Sequence, residues 1–395
     1  MPLDRLTLLQ NAEVYAPEKL GRTDVLFADS LTLNVGALAT KNLLATGLDI
    51  EVVDLKGNYL VPGLIDPHAH LLGGSGEKGG FSSQTPEISL TELTQAGITT
   101  VIGTLGVDTT MKTMPGLLAR AKGLEEQGLS AYIYTGGYNV PPTTILESAR
   151  QDIMFIKEVI AIGEIAIADE RANEPTVEEL AKLVKDGYVA GMLTGKAGVA
   201  HFHVGKGERM LKSLKELLDQ SDSIDPVWLY PTHINRHEAL LKDAVEFMKR
   251  GSNADMDVVE GNLAKWLRLY VDSGGRLEQL SISSDAGVTS PANILNEIRN
   301  CVLREGFDLE TVLPLATTHP AKFLKLNEKG RIRKTFDSSF LVLDKSSLDL
   351  VHVISRGHWL VRDGSPQVRE KFLSGSNREI HLRGEALPGS PRSCC

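Results

Sequence analysis

Cysteine is almost missing from this chain of 395 residues: there are three, Cys301 alone and Cys394 and Cys395 at the end. So few exclude a disulfide framework and a cysteine-rich zinc site, so any metal must be held by histidine and carboxylate. Positive charge is also in deficit. A formal net charge of −9 argues against a nucleic-acid partner, because phosphate binding relies on clustered lysine and arginine. No stretch approaches the ~18 consecutive apolar residues of a membrane-spanning helix. The start, Met1-Pro2-Leu3-Asp4-Arg5, lacks the basic and then apolar layout of a signal peptide. The expectation is a soluble, cytoplasmic protein with no membrane and no nucleic-acid partner. Apolar residues at 42% and charged residues at 24% are ordinary for a globular chain and exclude a disordered one.

What the chain does have is a change of texture. Residues 1–58 read as short strands and turns: Leu6–Leu9, Asp24–Phe27, Ser30–Val35 and Ile50–Asp54. After Pro62 apolar strands alternate with amphipathic helices, the pattern of a parallel sheet with crossover helices. Eight strands end near His70, Leu105, Gly136, Ile167, Val204, His233, Val259 and Asp285. Helices are predicted at Met111–Glu126, Glu208–Leu218, His237–Arg250 and Pro291–Arg304. From Leu326 β texture returns, in Ser339–Leu343, Val351–Ile354 and Trp359–Val361.

The fold class this implies is α/β. A TIM-like (β/α)8 barrel would span residues 59–325, with a small β-sandwich domain built from 1–58 and 326–382 and a disordered tail at 383–395. A doubly wound open sheet is the alternative, but no Gly-x-Gly-x-x-Gly follows the first barrel strand.

In such a barrel the chemistry sits at the carboxyl ends of the strands. His68 and His70 end the first strand two residues apart, so both imidazoles point the same way. Glu164 lies in the apolar strand Ile162-Gly163-Glu164-Ile165, where a carboxylate needs a partner or a metal. His203, His233 and Asp285 end the fifth, sixth and eighth strands. Four imidazoles and two carboxylates suit two divalent ions such as Zn²⁺, with Glu164 able to bridge them. His201 shares a face with His203, and spacing alone does not choose between them. His203 is favoured because it is nearer the strand end and precedes Gly205.

These residues carry a family resemblance over nearly the whole chain. Pro62-Gly63-Leu64-Ile65-Asp66-Pro67-His68-Ala69-His70 resembles the metal-dependent amidohydrolases, and within them the isoaspartyl (β-aspartyl) dipeptidases. Segments similar to the latter are Gly73–Glu77, Thr135–Pro141, Asp169-Glu170-Arg171, Pro231–Arg236 and Ser283-Ser284-Asp285. The resemblance implies hydrolysis of the side-chain amide of β-aspartyl dipeptides by a metal-bound hydroxide, in a protein that is often oligomeric. It assigns the substrate amine to Glu77, its carboxylates to Arg171 and Arg236, the attacked carbonyl to Tyr138 and a nearby hydroxyl to Thr289. Asp285 would move the proton from water to the leaving amine. The chain departs from that family twice. Glu164 stands where the family has a carbamylated lysine, and Val107 where it has a substrate-contacting threonine. Lys157 and Lys196 read as surface or loop residues. Another amidohydrolase activity, on N-acyl amino acids, cyclic amides or lactones, is the alternative, and a non-catalytic relative comes after it.

Overall fold

The computed structural model describes residues 6–77 and 79–377. The tail expected at 383–395, Cys394 and Cys395, and the last residues of the expected 326–382 segment lie outside the described residues.

The chain opens with five strands, β1 (Leu6–Tyr15), β2 (Lys19–Ala28), β3 (Leu31–Val35), β4 (Ile50–Asp54) and β5 (Tyr59–Pro62). Eight barrel strands follow: β6 (Leu64–Ala69), β7 (Ile98–Gly103), β8 (Ser130–Thr135), β9 (Val159–Ile167), β10 (Ala200–Val204), β11 (Leu229–Thr232), β12 (Ala254–Asp257) and β13 (Leu280–Ser283). The chain then adds β14 (Phe340–Leu343), β15 (Leu350–Ser355), β16 (His358–Arg362) and β17 (Ser365–Pro366).

Strands β6 to β11 pair in parallel, each with the next, and β12 pairs in parallel with β13. β13 meets β6 through main-chain bonds from Asp285 to His68 (3.1 Å) and from His70 to Ala286 (2.7 Å), while β11 and β12 are not paired and a bond from Ile234 to the Asp255 carbonyl (3.5 Å) links them. Every residue of β6, β9 and β10 is buried. Both faces of a parallel barrel strand are covered, which is why Val159-Ile160-Ala161-Ile162 is a continuous apolar run rather than an alternating one.

Helices seal the outside. The longest, Val177–Thr194, is opened by a capping box between Thr176 and Glu179 and closed by Gly195 in the left-handed conformation. It buries Leu180, Leu183, Val184 and Ala190. Gly191 lies against Gly198, where a Cβ would meet the Gly198 Cα at 2.7 Å, so the helix sits directly on the loop before β10. The helix expected from Met111 starts at Met114 because Thr113 caps it and Pro115 fills its first turn. The one expected from Glu208 starts at Lys212, after Met210 turns to a φ of 46°.

The remaining strands form a nine-stranded sheet drawn from both ends of the chain. β5 lies between β1 and β14, so Tyr59–Pro62 belongs to this sheet, which reaches past the boundary expected at residue 58. β1 changes partner halfway, pairing Leu6–Gln10 with β4 and Glu13–Val14 with β5. Leu9, Val14, Phe27, Leu60, Phe340, Val342 and Ile354 share one apolar cluster, so neither end could bury its strands alone.

Candidate metal centre

The six residues expected as ligands come from distant parts of the sequence and converge at the carboxyl ends of the barrel strands. His68 ends inside β6 and His70 follows it, with ring centroids 5.3 Å apart. His70 is gripped by glycine backbone. A Cβ at Gly106 would meet its ring at 2.6 Å, and one at Gly287 would meet its Cβ at 2.9 Å. His233 and Asp285 each follow the end of a strand at positive φ, 62° and 47°. Sparsely populated backbone of this kind gathers at functional sites.

Glu164, fully buried on β9, lies between two groups. Its Oε1 faces His203 Nδ1 at 2.5 Å and His233 Nε2 at 3.3 Å. Its Oε2 faces His68 Nε2 at 3.5 Å and His70 Nε2 at 4.0 Å. Asp285 Oδ1 lies 3.3 Å from His68 Nε2 and 3.1 Å from His70 Nε2. Glu164 thus turns one oxygen toward each of two pairs of imidazoles.

The fit to a metal rests on two orphaned atoms. His68 Nε2 and Glu164 Oε2 are buried and have no hydrogen-bond partner, which is costly unless a cation satisfies both. Charge agrees with this. Burial opposes protonation of His68, but Glu164 and Asp285 outweigh it and push the imidazole up to about 10. A field that favours a proton on the imidazole also favours a cation beside it. Burial also opposes ionisation of Glu164 and Asp285, yet the surrounding histidines hold both carboxyls well below the usual range. The donors His68, His70 and Asp285 form one compact group, and His68, Glu164 and His233 a second.

Carboxylates orient the outer imidazoles. His233 Nδ1 meets Asp257 Oδ2 at 2.9 Å, which aims Nε2 at Glu164. His203 Nε2 meets Asp169 Oδ2 at 3.0 Å, which leaves Nδ1 for Glu164. This is the usual pairing of a metal-binding imidazole with a second acid. His201 points elsewhere. It sits one layer below, with Nε2 2.8 Å from His68 Nδ1, so of the two strand-five histidines only His203 faces Glu164. Lys157 pairs with Glu125 at the surface, and Lys196 donates to the carbonyls of Ile153, Ile156 and Val159, so neither enters the centre.

A cavity opens above the cluster, lined among others by Glu77, Tyr138, Arg171, Arg236 and Thr289. Arg171 forms a two-pronged pair with Asp169 (2.8 and 2.7 Å) and a direct ion pair with Glu77. Arg236 is anchored by its Nε on the Val204 carbonyl at 2.8 Å. The Tyr138 hydroxyl lies 2.9 Å from His203 Nδ1, and burial holds the phenol well above its usual range, so it stays a donor. The Thr289 hydroxyl donates to the Asp285 carbonyl at 3.1 Å and so braces the loop that carries Asp285. Val107 is not among the residues lining the cavity. Asp257, Lys206, Glu260 and Trp266 were missed by sequence reasoning, and Asp169 was noted only within the Asp169-Glu170-Arg171 segment, without a role. Asp257 had a signal, since an acid two residues after another in a short strand must find partners inside the barrel.

The chain is similar to several known proteins. A β-aspartyl dipeptidase from Fervidobacterium islandicum AW-1 is 39% identical, covers 92% of this chain and 98% of its own, and superposes with a TM-score of 0.87. The same enzyme has been crystallised with β-Asp-Leu. An adenine deaminase from Thermosipho melanesiensis is 23% identical over 80% of this chain and 52% of its own length. An imidazolonepropionase from Colwellia psychrerythraea is 34% identical over 24% of this chain and 23% of its own. The chain thus spans about half the length of the deaminase and about a quarter of the imidazolonepropionase. The sequence profile of the amidohydrolase family matches residues 59–360, all eight barrel strands with β5, β14, β15 and part of β16, and the chain belongs to that family.

Proposed function

We propose that this chain hydrolyses the side-chain amide bond of β-aspartyl dipeptides. The observation that carries the reading is the charge pattern of one cavity, in which Glu77, Arg171 and Arg236 surround the histidine and carboxylate cluster. Guanidinium matches carboxylate in a two-pronged fashion and an acid matches an ammonium, so the cavity suits a substrate with one free amine and two carboxylates. An ester, lactone or cyclic amide needs no such set.

His68, His70, Glu164, His203, His233 and Asp285 would hold two divalent cations, and imidazoles with carboxylates suit Zn²⁺. Bound there, the cations would supply Lewis acidity and a water acidic enough to attack at neutral pH. The chain's own groups do the rest. Tyr138 donates a hydrogen bond from its hydroxyl to the carbonyl oxygen as charge develops on it. Asp285 takes the proton from the attacking water and passes it to the leaving amine. Arg171 and Arg236 fix the carboxylates and Glu77 the amine, which sets the scissile carbon over the cluster. Glu164 would supply a negative charge to both cations without modification.

The test is hydrolysis of β-Asp-Leu, α-Asp-Leu and N-acetyl amino acids by the Zn²⁺-loaded protein, with and without added bicarbonate. Turnover confined to the β-linked dipeptide and indifferent to bicarbonate is expected. No turnover of β-Asp-Leu by the fully loaded protein overturns the reading, and a bicarbonate requirement overturns the role of Glu164.

A further inference from the structure

We infer that His201 is a positioning residue that sets the tautomer of His68, and so decides which nitrogen His68 presents to a divalent cation. The inference rests on the metal reading and not on the dipeptide substrate.

The contacts run in one direction. His201 Nδ1 lies 2.9 Å from the main-chain carbonyl oxygen of Tyr230, and its Nε2 lies 2.8 Å from His68 Nδ1. A carbonyl oxygen only accepts, so His201 Nδ1 carries the hydrogen and donates it. The other nitrogen of a neutral imidazole is then an acceptor, and it takes a hydrogen bond from His68 Nδ1–H. His68 is left with a lone pair on Nε2, the atom that faces Glu164 Oε2 and Asp285 Oδ1 and has no hydrogen-bond partner. The opposite tautomer of His201 would set an N–H against His68 Nδ1 and force the His68 hydrogen onto Nε2, where it would exclude a cation.

The Tyr230 carbonyl excludes that tautomer, and packing keeps the His201 ring from turning away from it. Tyr134 stacks on it at 4.7 Å and 24°, with its own hydroxyl tied to the Pro67 carbonyl at 2.9 Å. The Tyr230 ring lies 4.8 Å away, with its hydroxyl 2.6 Å from Ser281 Oγ. Behind it, a Cβ at Gly163 would meet the His201 Cβ at 2.7 Å, so only glycine lets β9 approach β10 this closely. A metal-binding imidazole commonly leans on a carboxylate or carbonyl. Here a second imidazole is inserted, and it transmits the fixed polarity of a main-chain carbonyl on β11 to a side chain on β6.

Two measurements test this. In Zn²⁺-loaded wild-type protein labelled with ¹⁵N-histidine, long-range ¹H–¹⁵N correlation should show hydrogen on Nδ1 of both His201 and His68. Hydrogen on His201 Nε2 overturns the inference. Zn²⁺ affinity, read by competition with a chromophoric chelator, should fall ~10–100-fold at one of two sites in His201→Leu. It should largely recover in His201→Gln, whose amide oxygen can accept from His68 Nδ1. Loss of thermal stability in the metal-free variants with unchanged Zn²⁺ affinity would make His201 structural only and overturn the inference. Wild-type protein that takes up no Zn²⁺ overturns the metal reading along with it.

Discussion

The barrel holds two buried polar layers, one at its mouth and one just beneath, and strand geometry ties them together. Asp66, His201 and Asp255 lie two residues before His68, His203 and Asp257, so each lower residue shares a face with an upper one. The lower layer is fully partnered. Asp66 accepts from the Ser284 hydroxyl and from the main chain of His68 and Ser284, and Asp255 accepts from Thr232, Ser281 and Ser283. The upper layer leaves His68 Nε2 and Glu164 Oε2 facing each other without a bond. Buried ionisable side chains are common to both layers, so burial alone does not mark a metal site. The mark is a set of donor atoms that the protein itself does not satisfy.

Removing the metal breaks the comparison most sharply. Dialysis against a chelator should abolish hydrolysis, and adding Zn²⁺ should restore it. The same addition should stabilise the fold by ~4 kcal/mol for each site at ~1,000 times its dissociation constant, as thermal unfolding would record. If Zn²⁺ leaves stability unchanged, the upper layer is as self-sufficient as the lower. A smaller effect sharpens the comparison at the rim of the upper layer. Tyr138→Phe should lower kcat by ~10²–10³-fold, the usual loss of one oxyanion donor, with KM and metal content little changed. A fall in metal content would make Tyr138 a brace for His203 instead.

The smallest effect on activity belongs to the lower layer, where Asp255→Asn should change kcat/KM little but alter the pH dependence of stability. Burial pushes the Asp255 carboxyl from 3.8 to about 7 against its three hydroxyl donors. The folded protein then keeps a proton that the unfolded chain releases. Stability therefore falls as pH rises from the lower value through the upper one, by an amount on the order of 4 kcal/mol. In metal-free protein the Asn variant should lose that slope in a pH series of denaturant unfolding curves. An unchanged slope would show that Asp255 stays ionised in the fold.

The sequence made the upper layer legible because its residues stand where a period of two meets a strand end. His68, His70, His203, His233 and Asp285 could be picked out one strand at a time, and Glu164 by its apolar surroundings. The barrel strands ended within about two residues of their expected positions for the same reason. The lower layer was not legible. Asp66 entered only as one member of the Pro62–His70 motif and Asp255 not at all, since their partners Ser284 and Ser281 come from distant parts of the chain. The positive φ at His233 and Asp285 left no trace either, because neither residue is glycine. His201 was visible as a histidine, but its direction is set by Tyr134, Tyr230 and the missing side chain at Gly163, which only the folded barrel brings together.

The pairing of β5 with β14 also orders events during synthesis. Tyr59–Pro62 leaves the ribosome before any barrel strand, and its partner Phe340–Leu343 emerges only after all eight. Until then one edge of the early sheet lies open, Leu60 lacks the cover of Phe340 and Val342, and the nascent chain presents a template for wrong pairing. A chain halted before residue 340 carries the barrel residues of the centre yet keeps that edge exposed. Its characteristic fate would be self-association.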